Sequence, residues 1–214
     1  MCEGNKKWKR WQNAWRNENP FGWLLSQENK MSESLKQMDE LIEDTLFQLG
    51  AKYAKPEARE LVLATGLVES KYKYIKQIGT WVASGYFQVE SDTAVDTCVS
   101  FLRFRKSLAK RCARASETSI DLWESSDHRR WKKVLTYNIA CGIIICRLKY
   151  WRSPLPIGSD THSMAKIWKQ VYNTSQGAGT IDKYLEIVGK HIWKNQHWNT
   201  GLWSFLTNTF QLQT

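Results

Sequence analysis

The sequence predicts a mainly α domain in which one short loop or strand segment lines a groove. Three observations predict it. Apolar residues recur at helical spacing through most of residues 31–190. Chain breakers are scarce, with 4 Pro and 12 Gly among 214 residues, which argues for helices over a turn-rich β-sandwich. One stretch, residues 71–90, loses the helical spacing and mixes aromatic side chains with Gly79, Ser84 and Gly85. At this length a chain buries a core without disulfide staples.

The elements follow in order. A helix over residues 32–49 has Ser34 as its cap and Leu35, Met38, Ile42, Leu46 and Leu49 on one face, and Gly50 ends it. Pro56 opens a second helix at a position Pro tolerates. That helix runs over residues 57–70, with Leu61, Ala64, Thr65 and Val68 inward and Glu69 near its end. After the segment 71–90, Asp92 is positioned to cap a helix over 93–113 with a basic outer face. An acidic, Ser-rich connection over 117–127 leads to a long apolar helix over 131–151, the best candidate for the core helix. Ser153-Pro154-Leu155-Pro156 stops it. A helix over 160–173, a loop over 174–179 and a helix from the Thr180 cap through Val188, ended by Gly189, complete the domain.

Two extensions flank it. In residues 1–30, Trp8, Trp11 and Trp15 alternate with Lys and Arg at a spacing that places them on one helical face. Such a segment serves as a docking arm, an interfacial anchor or an ordinary amphipathic helix packed on the domain. Residues 191–214 are rich in Trp and Asn. The division is thus 1–30, 31–190 and 191–214.

Composition narrows the function. A net charge of +10 draws anionic partners: nucleic acid, anionic membrane or acidic envelope polymers. The 12 Trp offer flat apolar faces that stack on sugars or bases, or fill cores. None of the nucleic-acid-binding motifs is present, so a specific nucleic-acid partner ranks last. Cys2, Cys98, Cys112, Cys141 and Cys146 show no CxxC pairing, and read as free thiols of a chain folded in a reducing cytoplasm, with Cys141 and Cys146 in the core. His128, His162, His191 and His197 lack HExxH-type spacing, so no metal and no cofactor is expected. No apolar stretch is long enough to span a bilayer, and the basic start is not followed by the apolar run of a signal peptide.

The residues that carry chemistry lie around Glu69. A glycosidase needs a carboxylic acid still protonated near neutral pH, and partial burial against apolar and aromatic groups supplies one. Glu69 follows Leu67-Val68 and precedes a Tyr- and Trp-rich segment. The alternative is a solvated helical Glu paired with Lys73 at i+4. A sugar chain needs backbone donors, amides and aromatic faces. Gly85-Tyr86-Phe87-Gln88 offers all three, with close backbone approach at Gly85 and a two-way amide at Gln88.

Glu69-Ser70 resembles the Glu-Ser motif that ends the catalytic helix of soluble lytic transglycosylases and goose-type lysozymes. Gly85-Tyr86-Phe87-Gln88, followed by Val89-Glu90-Ser91-Asp92-Thr93-Ala94, resembles their Gly-Leu-Met-Gln-x-x-Pro-x-Thr-Ala segment, with Ser91 in the place of Pro. Val171-Tyr172-Asn173, then Gly177-Ala178-Gly179-Thr180 and Tyr184, resembles the Ala-Tyr-Asn-Ala-Gly motif and its following Tyr. Within the family the chain is most similar to phage proteins. Arg147 to Pro154 resembles their Arg-x-x-Tyr-x-Arg-x-Pro run, and Trp168-Lys169-Gln170-Val171-Tyr172-Asn173-Thr174 their Trp-Lys-x-x-Tyr-Asn-Thr block.

The resemblance implies an α+β lysozyme-like fold, no cofactor, and cleavage of the bond between N-acetylmuramic acid and N-acetylglucosamine in peptidoglycan. Glu69 would be the catalytic acid. Ser70, Gly85, Tyr86, Phe87, Gln88, Tyr172, Asn173 and Tyr184 would bind substrate. Glu90 and Asp92 are the nearest candidates for a second carboxylate, or else a surface residue and a helix cap. The chain would be made in the host cytoplasm, reside in a phage virion and act in the bacterial envelope, its Trp-rich ends meeting other virion proteins. The alternative is a structural tail or capsid protein of the same fold with weak or no activity.

Overall fold

The computed structural model describes residues 22–193, apart from 77, 78, 80, 81 and 174–176. The expected extensions therefore lie largely outside the described residues, including the face of Trp8, Trp11 and Trp15. By contacts the chain divides into a first unit, Met1–Met38, and a second, Asp39–Thr214. The described part of the first unit is the beginning of helix α1, Gly22–Leu49. This helix starts ten residues before the expected position, because residues 23–32 contain no Pro or Gly to stop it. Ser34 is consequently inside the helix and not its cap.

In the second unit, Ile42, Leu46 and Leu49 of α1 are wholly buried. Helix α2, Pro56–Ser70, begins with Pro at its first turn and ends on Lys71 in the left-handed conformation, φ 53°. The Arg59 guanidinium holds α2 to α1 through a fork on Asp39, with its Nε donating over 2.6 Å, and through Glu43. Helix α2 is covered on nearly every side: Leu61, Val62, Ala64, Thr65 and Leu67 are at most 1% exposed. That is why its amphipathic signal is weak in sequence.

The segment after α2 carries the only sheet among the described residues. Strands β1, Ala83–Ser84, and β2, Val89–Glu90, pair antiparallel with Ala83 opposite Glu90 and Ser84 opposite Val89. Gly85 turns the chain at φ 71°, and a Cβ there would lie 2.3 Å from the Leu135 carbonyl oxygen. Only glycine satisfies both the angle and the approach.

Helix α3, Ser91–Asp96, continues through a π turn, Thr97–Phe101, and a 3₁₀ turn, Leu102–Phe104, before α4, Lys106–Ala115. The single helix expected over 93–113 is thus two. Arg105 explains the break: its side chain donates over 3.0 Å to the Phe101 carbonyl, the acceptor its own N–H would use in a continuous helix. That N–H turns to Leu102 instead, at 2.7 Å. Helix α5, Ile120–Trp123, follows.

The expected helix over 131–151 is likewise two, α6, His128–Tyr137, and α7, Ile139–Trp151. Asn138 divides them. It is extended, φ −110° and ψ 103°, and its side chain caps α7 at the Cys141 N–H, 2.9 Å, while donating to the Ser116 carbonyl, 2.9 Å. An Asn cap contributes about 1 kcal/mol, enough to favour a break that hydrophobicity alone does not reveal. Helix α7 is the core helix, with Cys141 through Leu148 buried. Arg147 in that run donates to the Tyr53 carbonyl over 2.9 Å.

Helix α8, Thr161–Ile167, is capped by Asp160 and runs on as a π turn, Trp168–Asn173. Helix α9, Ile181–Val188, is capped by Thr180. Gly189 does not end it, since a π turn continues over Gly189–Trp193. Cys98, Cys112, Cys141 and Cys146 are free and at most 1% exposed. Burial pushes the thiols of Cys98, Cys141 and Cys146 up to about 12, and that of Cys112 up as well. No described helix is long and apolar enough to cross a membrane.

Candidate active site

A cleft of about 810 Å³ opens where the end of α2, the β1–β2 hairpin, α7 and the π turn of α8 converge. Glu69, one residue before the end of α2, stands in its wall. The helix end matters. The carbonyls of a last turn are the negative pole of the helix, which disfavours an ionised carboxylate there. Burial pushes the Glu69 carboxyl above the ordinary value, and three influences restrain it: a hydrogen bond from Trp168, then the charges of Lys149 and Lys183. The Trp168 Nε1–H donates to Glu69 Oε1 over 2.9 Å.

Trp168 is 1% exposed, with its ring centroid 5.3 Å from that of Tyr184. At the edge of its six-membered ring Gly179 comes so near that a Cβ would sit 2.3 Å from the indole. The indole is thus clamped, and it fixes one carboxylate oxygen. A carboxyl held in one orientation, with raised proton affinity and open to a cleft, is equipped to give a proton to a bound group and take one back.

Gln88 also lines the cleft. Its backbone is left-handed, φ 47°, and its side-chain Nε2 donates to the Gly85 carbonyl over 2.7 Å. Nε2 also donates to the Tyr74 carbonyl over 3.3 Å, so both amide donors are taken up by backbone and the oxygen is the group left to accept from a ligand. Tyr172 and Asn173 also line the cleft. The Tyr172 hydroxyl donates to the Phe87 carbonyl over 2.7 Å, fastening the π turn to the hairpin. Its ring stacks on Tyr150 at 5.5 Å, and its carbonyl accepts from Lys149 Nζ over 3.1 Å. The Asn173 side-chain oxygen accepts from Lys169 over 2.9 Å.

Of the residues singled out in the sequence, Glu69, Gln88, Tyr172 and Asn173 share this cleft although up to about a hundred positions separate them. Ser70, Gly85, Tyr86, Phe87 and Tyr184 are not on its wall. Ser70 is buried, donates to the Gly66 carbonyl over 3.1 Å and accepts the Tyr72 N–H, closing the end of α2. Gly85 makes the hairpin turn, and Phe87 and Tyr184 pack inside at 1% and 0% exposure. Tyr86 meets Tyr72 edge-on at 5.7 Å.

Glu90 lines the cleft as a second carboxylate. Asp92 instead pairs with His128 at 2.7 Å, and α3 has no side-chain cap. Trp168 and Lys149 stand in the sequence only as members of the motif blocks, with no role at the site assigned to them, and Lys183 is not singled out there. Burial pulls the Lys149 ammonium below the usual lysine range, against the influence of Cys146, Glu69 and Glu90 nearby. Among the described residues no group of three or more His, Cys, Asp or Glu is placed to hold a metal ion. Comparison with models of protein families, with curated proteins and with solved structures finds no match to this chain.

Proposed function

We propose that the chain is a lysozyme-like peptidoglycan-cleaving enzyme of the lytic transglycosylase kind, with Glu69 as its acid. The observation that carries the reading is one carboxyl, raised in proton affinity by burial and held by the Trp168 N–H, in an 810 Å³ cleft beside Gln88, Tyr172 and Asn173. The neutral Glu69 donates its proton to the glycosidic oxygen between N-acetylmuramic acid and N-acetylglucosamine. The resulting carboxylate then takes a proton from the group that attacks the sugar. Lys149 and Lys183 stabilise that ionised stage. If the muramic C6 hydroxyl attacks, a 1,6-anhydro ring forms and one carboxyl suffices. If water attacks, Glu90 is the second carboxylate on the same wall. The phage-virion setting, with partner proteins at the Trp-rich ends, rests on the sequence resemblance alone.

The test is mass spectrometry of fragments released from purified peptidoglycan by the wild-type chain and by Glu69→Gln. Release is expected from the wild type, reduced by about 10²–10⁴-fold or more in the variant. Fragments lighter by one water identify ring closure. Undiminished release by Glu69→Gln refutes the assignment, and no release by a folded wild-type chain refutes the function.

A further inference from the structure

Strand β1 separates two concavities. Successive side chains of a strand point to opposite faces. Ala83 accordingly lines the cleft, while Ser84 lines a second groove of about 310 Å³. The outer face of α6 forms the groove's other wall, from which Arg129, Lys132 and Lys133 project exposed. Tyr137, 71% exposed, adds an aromatic face. No carboxylate lines this groove among the described residues, and none of the three α6 cations forms an ion pair with a described residue. Lys76 belongs to the walls of both groove and cleft.

The groove is also rigidly built. Asp127 caps α6 by accepting the N–H groups of Arg129 and Arg130, at 2.8 and 3.1 Å. The contact of Gly85 with the Leu135 carbonyl presses the hairpin onto the same helix. Three uncompensated cations in a fixed concavity raise the local concentration of anions. The place of the groove selects which anion. Ala83 and Ser84 are consecutive and Lys76 lies on both walls, so the groove adjoins the cleft on the far side of β1, where a branch of a ligand in the cleft can extend. Every muramic acid residue of a peptidoglycan strand carries such a branch, a short peptide with free carboxylates.

We propose that this groove binds the stem-peptide carboxylates of the same strand whose glycan lies in the cleft. The inference rests on the glycan-cleaving reading above. A nucleic acid would instead need a continuous phosphate track, and this concavity is local and opens beside a sugar-sized cleft.

The experiment compares the wild type with the triple variant Arg129→Gln, Lys132→Gln, Lys133→Gln, whose replaced side chains are all exposed. Two substrates are used: intact peptidoglycan, and glycan strands stripped of their stems by an amidase. At low salt the triple variant is expected to cleave the stem-bearing substrate about tenfold more slowly, as three exposed charges of modest individual worth suggest. On stripped strands it should match the wild type. Equal rates on both substrates, or equal slowing on both, overturn the proposal. Binding of a soluble stem tetrapeptide, measured by calorimetry in the Glu69→Gln background, separates the two readings. If the wild type cleaves neither substrate but the peptide binds and the triple variant loses it, the glycan-cleaving reading falls and the groove's ligand class stands. If the peptide does not bind while a DNA duplex binds and the triple variant loses the duplex, the groove is a nucleic-acid surface and the proposal is overturned.

Discussion

Replacing Trp168 with Phe removes one hydrogen-bond donor from Glu69 and keeps an aromatic ring in its place. The lost bond runs 2.9 Å from indole N–H to carboxylate oxygen. A hydrogen bond to a charged group is worth about 1.5–3 kcal/mol. It favours the ionised form, so its loss favours the neutral acid. On the alkaline side of the profile the protonated fraction of Glu69 then rises roughly tenfold to a hundredfold, a decade for every 1.4 kcal/mol. The wild-type rate falls as pH rises and Glu69 gives up its proton. In Trp168→Phe this descending limb moves to higher pH, although the maximum drops because the carboxyl is less firmly oriented. The assay is the initial rate of soluble fragment release from purified peptidoglycan between about pH 4 and 9. The smaller ring leaves a void beside Tyr184, and a stability loss of about 1–3 kcal/mol is read separately by urea denaturation. A folded variant whose limb stays in place, or moves to lower pH, refutes the claim that Trp168 restrains the proton affinity of Glu69.

Other perturbations test other parts. The Glu69 carboxyl, raised in the folded state, binds a proton that the unfolded chain has already released. Its contribution to stability is full below the ordinary carboxylate range and is lost as pH rises through the folded value. Glu69→Gln escapes that loss, so its urea midpoint should exceed the wild-type value at neutral pH and converge with it in acid; parallel curves would contradict the burial argument. Tyr172→Phe removes the 2.7 Å hydrogen bond to the Phe87 carbonyl and strands a buried acceptor. It should cost about 1–3 kcal/mol and lower Tm by roughly 3–10 °C, measured by calorimetry. Gly85→Ala forces a Cβ toward the Leu135 carbonyl oxygen at a φ of 71°. A loss of about 2–3 kcal/mol is expected in thermal melts, with a larger fall in cleavage rate than stability alone explains, because the hairpin carries Gln88.

Much of the helical plan is legible in the sequence because its signals are local. Pro56, Asp160 and Thr180 stand where the helices begin, and each acts through atoms within three residues of itself. The breaks at Phe101–Arg105 and Asn138 are less visible. Arg105 and Asn138 are residues a helix tolerates, and what stops the helix is a side chain taking a backbone partner, which composition does not report. The site divides the same way. Glu69, Gln88, Tyr172 and Asn173 are readable as motif residues, and they do share one cleft. Trp168 is readable as the first residue of the Tyr172-Asn173 block but not as the partner of Glu69, since a Trp in that place suits a core as well as a hydrogen bond. Phe87 and Tyr184 show the converse. Aromatic residues adjacent to site residues suit a sugar-binding face and a core equally, and here their rings are buried.

The four sealed thiols bear on how the chain meets a change of surroundings. Cys98, Cys112, Cys141 and Cys146 lie at 1% exposure or less and hold their protons well above neutral pH. Neither oxidants nor alkylating reagents act readily on a protonated sulfur they cannot touch. These four thiols are therefore indifferent to the redox poise around them, and among the described residues they form no cross-link that reducing conditions could undo. In a Cys2→Ser chain, the pace at which a thiol reagent labels the remaining four becomes a clock for the opening of the core itself, set by how often the fold breathes wide enough to expose them.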